Sequence, residues 1–184
     1  MSDFKPEIKA IPTEFGGIRF RSRLEAKWAA FFDLVGWRWE YEPVDFNGWI
    51  PDFAIVEDGR VAYVEVKPVY KFPDDTADKI EASGCGERVL IVGAGNPMRT
   101  PWGCGPGWLG EIHYGARRWN LATYGLWDDP IRIDFCGYDP LRCGAGEAPD
   151  MDLVITAHWR TAANETQWGR STNGLWHIGN WGKR

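Results

Sequence analysis

Asp52, Glu65 and Lys67 carry the side chains of this chain best suited to chemistry. They lie in two apolar runs, residues 51–56 and 61–67, joined by the turn-like tetrapeptide Glu57-Asp58-Gly59-Arg60. Strand side chains alternate faces, so Glu65 and Lys67 point the same way as Val61 and Tyr63. Paired as a hairpin, the runs bring Asp52 near Glu65 and gather two carboxylates and an ammonium at one end of a small sheet. Hard oxygen ligands beside a lysine are what a Mg²⁺ site for phosphodiester hydrolysis requires. The neighbouring Val61, Ala62, Val64 and Val66 predict a covered strand, where a carboxylate is costly unless paired or bound to a cation. The plainer alternatives are a Pro-Asp turn that merely opens a strand and a solvated Glu65–Lys67 ion pair.

The elements that must position these groups are legible around them. Leu24, Trp28, Phe31 and Val35 recur at helical spacing, and Ala29 and Phe32 widen the apolar face, which predicts a helix over 22–35. Ser22 is a good N-cap and Gly36 a good stop. Ser22 and Glu25 form a capping-box pattern, so Glu25 has a structural reading beside any chemical one. Arg19, Arg21 and Arg23 alternate into this helix, either to meet phosphate oxygens at its N-terminus or to form a solvated basic edge. Lys71 and Lys79 have the same two readings. Residues 37–42 alternate like a strand, in which Tyr41 and Glu42 read as core or edge-strand residues, with packing near the site as the alternative. Asp74–Ser83 reads as a short helix, and Val89–Val92 as an apolar strand. The resulting order, αβββαβ, is that of an α/β core with a central mixed sheet flanked by helices.

Pro51-Asp52, Glu65-Val66-Lys67 and Glu25 on a preceding helix, in that arrangement, resemble the PD-(D/E)XK nuclease superfamily, the restriction-endonuclease-like fold. The likeness covers roughly residues 15–95. It implies a Mg²⁺-dependent DNA endonuclease, with Mn²⁺ able to substitute, of the kind that phages and bacteria use in DNA processing, junction resolution, transposition or defence. It further implies metal ligation by Asp52, Glu65 and the backbone carbonyl of Val66. Lys67 would orient or help deprotonate the attacking water, and Glu25 would tune the site or bind a second ion. Arg19, Arg21 and Arg23 would hold DNA.

Composition narrows the rest. A chain of 184 residues with 44% hydrophobic residues supports one well-buried domain and a small appendage. We expect an N-terminal arm over 1–17, the nuclease core over 18–98, and an irregular Trp/Gly-rich extension over 99–184 packed on that core. The extension holds most of the twelve tryptophans. Trp119–Trp127 and Ile131–Phe135 are candidate short elements, and Asp152–Trp168 has helical character. Formal net charge is −5, which argues against a large non-specific nucleic-acid footprint while leaving local arginine clusters available. With no apolar run of about 18 residues and no signal-peptide core in residues 1–6, a cytoplasmic protein of a bacterial cell or phage-infected host is expected, with no membrane partner. The four cysteines then read as free thiols. A structural zinc site from Cys104, His113, Cys136 and Cys143 is the less favoured alternative, because its spacing is not that of a zinc knuckle. Gly93-Ala94-Gly95 lacks the third small residue of a dinucleotide loop and reads as a turn. The sequence neither supports nor excludes a homodimer. Two rival functions stand beside the nuclease: a nucleic-acid-binding protein that keeps the fold without cutting, its tryptophans stacking on unpaired bases, and a structural protein whose carboxylates form salt bridges.

Overall fold

The computed structural model describes residues 10–57, 60–97, 106–122 and 149–167. Among the described residues it is a mixed α/β fold with a six-stranded mixed sheet, a separate two-stranded hairpin and three helices. The hairpin comes first: β1 (Thr13–Phe15) and β2 (Ile18–Phe20) pair antiparallel from Thr13↔Phe20 to Phe15↔Ile18. Gly16 and Gly17 connect them at φ 59° and 77°. Both central residues of a tight type I′ turn need positive φ, which glycine adopts without strain. The stretch expected to be a loose arm is therefore strand from Thr13 onward; residues 1–9 lie outside the described residues.

Helix α1 (Arg23–Leu34) follows, with Ser22 Oγ accepting the Glu25 N–H at its N-cap. It buries Ala26, Trp28, Ala29, Ala30, Phe31 and Phe32, the face read from the periodicity. Strands β3 (Arg38–Tyr41), β4 (Phe53–Glu57) and β5 (Arg60–Val66) form an antiparallel meander, and the β4/β5 pairing closes at Glu57↔Arg60. Helix α2 (Asp74–Ala82) then carries the chain over to β6 (Arg88–Val92), which lies parallel to β5. The expected αβββαβ order is thus present.

The sheet does not end at β6. Strands β7 (Gly107–His113) and β8 (Ala116–Leu121) add two antiparallel members, giving the order β3-β4-β5-β6-β7-β8. Helix α3 (Pro149–Gln167) packs back on α1 through Trp159, whose ring lies 4.7 Å from that of Trp28 and 5.7 Å from that of Phe31. Helix α3 bears out the helical character read in Asp152–Trp168, whereas β7 opens within a stretch expected to be irregular. Ile131–Phe135 and the three cysteines 104, 136 and 143 lie outside the described residues.

Two cores sit on the two faces of the sheet. Ala62, Val64, Val66, Leu90 and Val92 face α1 and α3. Val89, Ile91 and Trp108 face the other way, with Ile80 of α2 and with Trp49. A strand buried on both faces reads as a continuous apolar run, which is why β6 is Val-Leu-Ile-Val. Among the described residues no helix is long and apolar enough to cross a membrane.

Candidate functional site

The expected residues gather at the end of β4 and β5 nearest the start of α1. Pairing of Phe53 with Val64 puts Asp52, one residue before β4, opposite Glu65. The Val66 N–H donates to Asp52 Oδ2 at 2.7 Å and fixes that carboxylate across the hairpin. Glu65 points away from α1 because Val64 and Val66 on either side of it point toward α1. There Trp49 Nε1–H donates to its Oε2 at 2.9 Å, and Lys67 Nζ lies 2.5 Å from its Oε1. Asp52, Glu65 and Glu25 are all buried.

Burial pushes the Asp52 carboxyl up to about 7, and the neighbouring Glu65 charge adds to this; the Val66 N–H pulls the other way. Two carboxylates sharing a dry site cannot both ionise without a cation nearby. Arg21 supplies one. Its Nη2 bonds to Asp52 Oδ1, and its Nε lies 3.0 Å from Glu42 and 3.9 Å from Glu25. Burial works against the guanidinium charge, but Asp52, Glu42 and Glu25 more than offset it and raise the Arg21 pKa.

Glu25 has little oxygen to spare. Oε1 accepts from the Ser22 hydroxyl at 2.7 Å, and Oε2 accepts from the Tyr41 hydroxyl at 2.6 Å and from the Arg21 N–H at 3.2 Å. The capping-box reading holds in altered form, since the glutamate bonds back to the backbone of Arg21 rather than Ser22. Burial and the bond to Glu25 push the Tyr41 hydroxyl up to about 12, so it stays a donor.

Among the described residues, no three His, Cys, Asp or Glu side chains form a group that could hold a metal ion. The donor chemistry nonetheless suits a hard divalent cation: two buried, mutually repelling carboxylates, with the Val66 backbone beside them. Arg21 and Lys67 take the cation's part at Asp52 and Glu65.

No family model, curated protein or solved structure matches this chain.

The other expected groups lie at different distances from this cluster. Arg19, on β2, and Arg23, at the start of α1, are exposed. Lys71 and Lys79 are exposed beyond β5. His113 closes β7 with its ring 3.8 Å from Glu111, and Cys85 is a buried free thiol. Sequence reading did not place Trp49 at the site, and for Tyr41 and Glu42 it favoured core or edge strand over packing near the site. Trp49 carried a signal, because a tryptophan two residues before a Pro-Asp pair needs an acceptor for its N–H once buried. Glu42, at φ 47°, carried none.

Proposed function

We propose that this chain is a divalent-metal-dependent DNA endonuclease on a restriction-endonuclease-like core. Support comes from the antiparallel meander β3-β4-β5, the α2 crossover and the parallel β6, the order that the resemblance implies. The observation that carries the proposal is the buried pair of Asp52 and Glu65, set opposite each other by the β4/β5 register, with the Lys67 ammonium on Glu65.

Asp52, Glu65 and the Val66 carbonyl oxygen would hold Mg²⁺ or Mn²⁺, which when bound polarises the phosphodiester and neutralises its charge. The chain's own residues do the rest. Lys67 hydrogen-bonds the attacking water and a phosphate oxygen, and Glu65 orients Lys67 for this. Trp49 locks Glu65, and the Val66 N–H locks Asp52, so neither carboxylate must reorganise during the reaction. Water attacks phosphorus as the P–O bond to the leaving sugar breaks; the proton lost by the water goes to solvent, the leaving oxygen takes a proton from solvent, and Lys67 donates hydrogen bonds throughout. Arg21, on the rim and held by Glu25, turns to the phosphate once Asp52 is neutralised. Glu25 is thus a positioning residue. Arg19 and Arg23 extend the contact along the strand.

A fold retained without cleavage is the second reading, favoured by the ion pairs that already engage Asp52 and Glu65. Incubation of supercoiled plasmid with Mg²⁺ or Mn²⁺ separates the two. The nuclease nicks or linearises the plasmid, and Lys67→Ala slows this roughly 10²–10³-fold. An intact plasmid under both metals, alongside intact linear, single-stranded, branched and RNA substrates, overturns the proposal.

A further inference from the structure

Glu65 belongs to a cross-strand row. It pairs with Ile91, Ile91 with Trp108, and Trp108 with Leu121. Residues in one such row share a sheet face, so Trp108 stands on the same face as Glu65, two strands away, or roughly 10 Å at the ordinary strand spacing. A cleft of about 390 Å³ opens there, lined by Phe72, Trp108, Trp119, Asn120 and Leu121. Its volume lies at the low end of small-molecule sites, roughly 300–1,000 Å³.

The walls are aromatic and mutually braced. The Phe72 ring lies 5.8 Å from Trp108 and 5.6 Å from Trp119. Trp119 is half-buried on the edge strand. One unbroken connection, Lys67-Pro68-Val69-Tyr70-Lys71-Phe72, runs from the ammonium at Glu65 to the cleft wall, and it interleaves cationic and aromatic side chains. Just beyond Phe72, Asp74 and Asp75 open α2 and disfavour phosphate there.

We infer that this cleft binds an unpaired nucleobase of the strand whose phosphate lies at Glu65 and Lys67, so that the substrate is single-stranded or locally unpaired nucleic acid. The inference rests on the nuclease reading for the placement of the phosphate. A neutral heterocycle suits a cleft walled by aromatic and apolar side chains, and base–aromatic stacking tolerates any sequence. Phosphates follow the lysines while the base turns into the cleft. A continuous duplex cannot do both, since its bases are stacked on one another.

The test measures binding of a fluorescein-labelled oligothymidylate and of a blunt duplex of equal length, in Ca²⁺ buffer, to the full chain. Trp119→Ala should weaken the single strand roughly tenfold and leave the duplex unchanged, and Trp119→Phe should restore most of the loss. Equal affinities for the single strand, or equal losses on both ligands, overturn the inference. Photocrosslinking of the unaltered chain to an oligonucleotide carrying 5-iododeoxyuridine guards against misfolding of the variants. Crosslinks at Phe72, Trp108 or Trp119 support the cleft, and crosslinks confined to other residues refute it. Base binding in the cleft without cleavage of any substrate would remove the nuclease reading alone. Cleavage that ignores Trp119 would remove this inference alone.

Discussion

Arg21 and Asp52 tie the approach to α1 to the β4–β5 hairpin, with Nη2 on Oδ1 and the Val66 N–H on Oδ2. The guanidinium thus faces a carboxyl whose pKa is pushed up by burial and by the Glu65 charge. A divalent ion at Asp52 must displace it.

Arg21→Gln should therefore lower the melting temperature in EDTA, because Asp52 loses its cation. The same variant should bind Mn²⁺ more tightly than the parent, because nothing has to be displaced. Calorimetric titration and thermal melts with and without Mn²⁺ check this. Weaker Mn²⁺ binding by the variant would mean that Arg21 assists the metal rather than standing in for it.

Asp52 sets a pH dependence. Its folded-state pKa of about 7 exceeds its ordinary 3.8, so the folded chain holds a proton that the unfolded chain releases. The stability it contributes is fully present below about pH 4 and is lost as pH rises through 7. Melts in EDTA from pH 5 to pH 8 should decline, and Asp52→Asn should flatten that decline. An identical slope in the variant would assign the effect to another group.

Trp49→Phe keeps the ring in the core and removes one N–H. Glu65 Oε2 then lacks its buried donor, at a cost of roughly 1–3 kcal/mol. Urea unfolding should show this loss, and Trp49→Ala should lose more by leaving a cavity. Equal stability of Trp49→Phe and the parent would mean that the 2.9 Å contact contributes nothing.

Gly107 opens β7 against β6, and a Cβ there would sit 1.9 Å from the Ile91 carbonyl oxygen. That oxygen is backbone and cannot swing aside. Gly107→Ala should thus cost about 3 kcal/mol or more and loosen the outer two strands, which hydrogen exchange on 107–121 would detect. Protection unchanged across β7 and β8 would contradict it.

What the sequence made legible follows from periodicity. Trp28, Phe31 and Phe32 marked the buried face of α1, and the alternation around Glu65 marked its strand and its shared face with Lys67. Capping by Ser22 was readable because its partner lies three residues away. The hairpin 13–20 was missed because strands of three residues are too short to show alternation, although Phe15-Gly16-Gly17-Ile18 held the turn signal. Strands β7 and β8 were missed because glycines at 107 and 110 and charges at 111, 117 and 118 break the apolar pattern. Arg117 explains one of these: it is buried and donates to the backbone carbonyls of Cys85, Glu87 and Gly110, a tertiary contact no local pattern announces. The dual engagement of Glu25 and the turning of Arg21 onto Asp52 are likewise set by Tyr41 and Glu42, sixteen or more residues from Glu25.

Crystals soaked in MnCl₂ and measured at the manganese edge test the shared-cation site most directly. An anomalous peak within coordination distance of Asp52 and Glu65, with Arg21 swung clear, is the predicted result. A map with no peak there, and Arg21 still on Asp52 at saturating Mn²⁺, would contradict it.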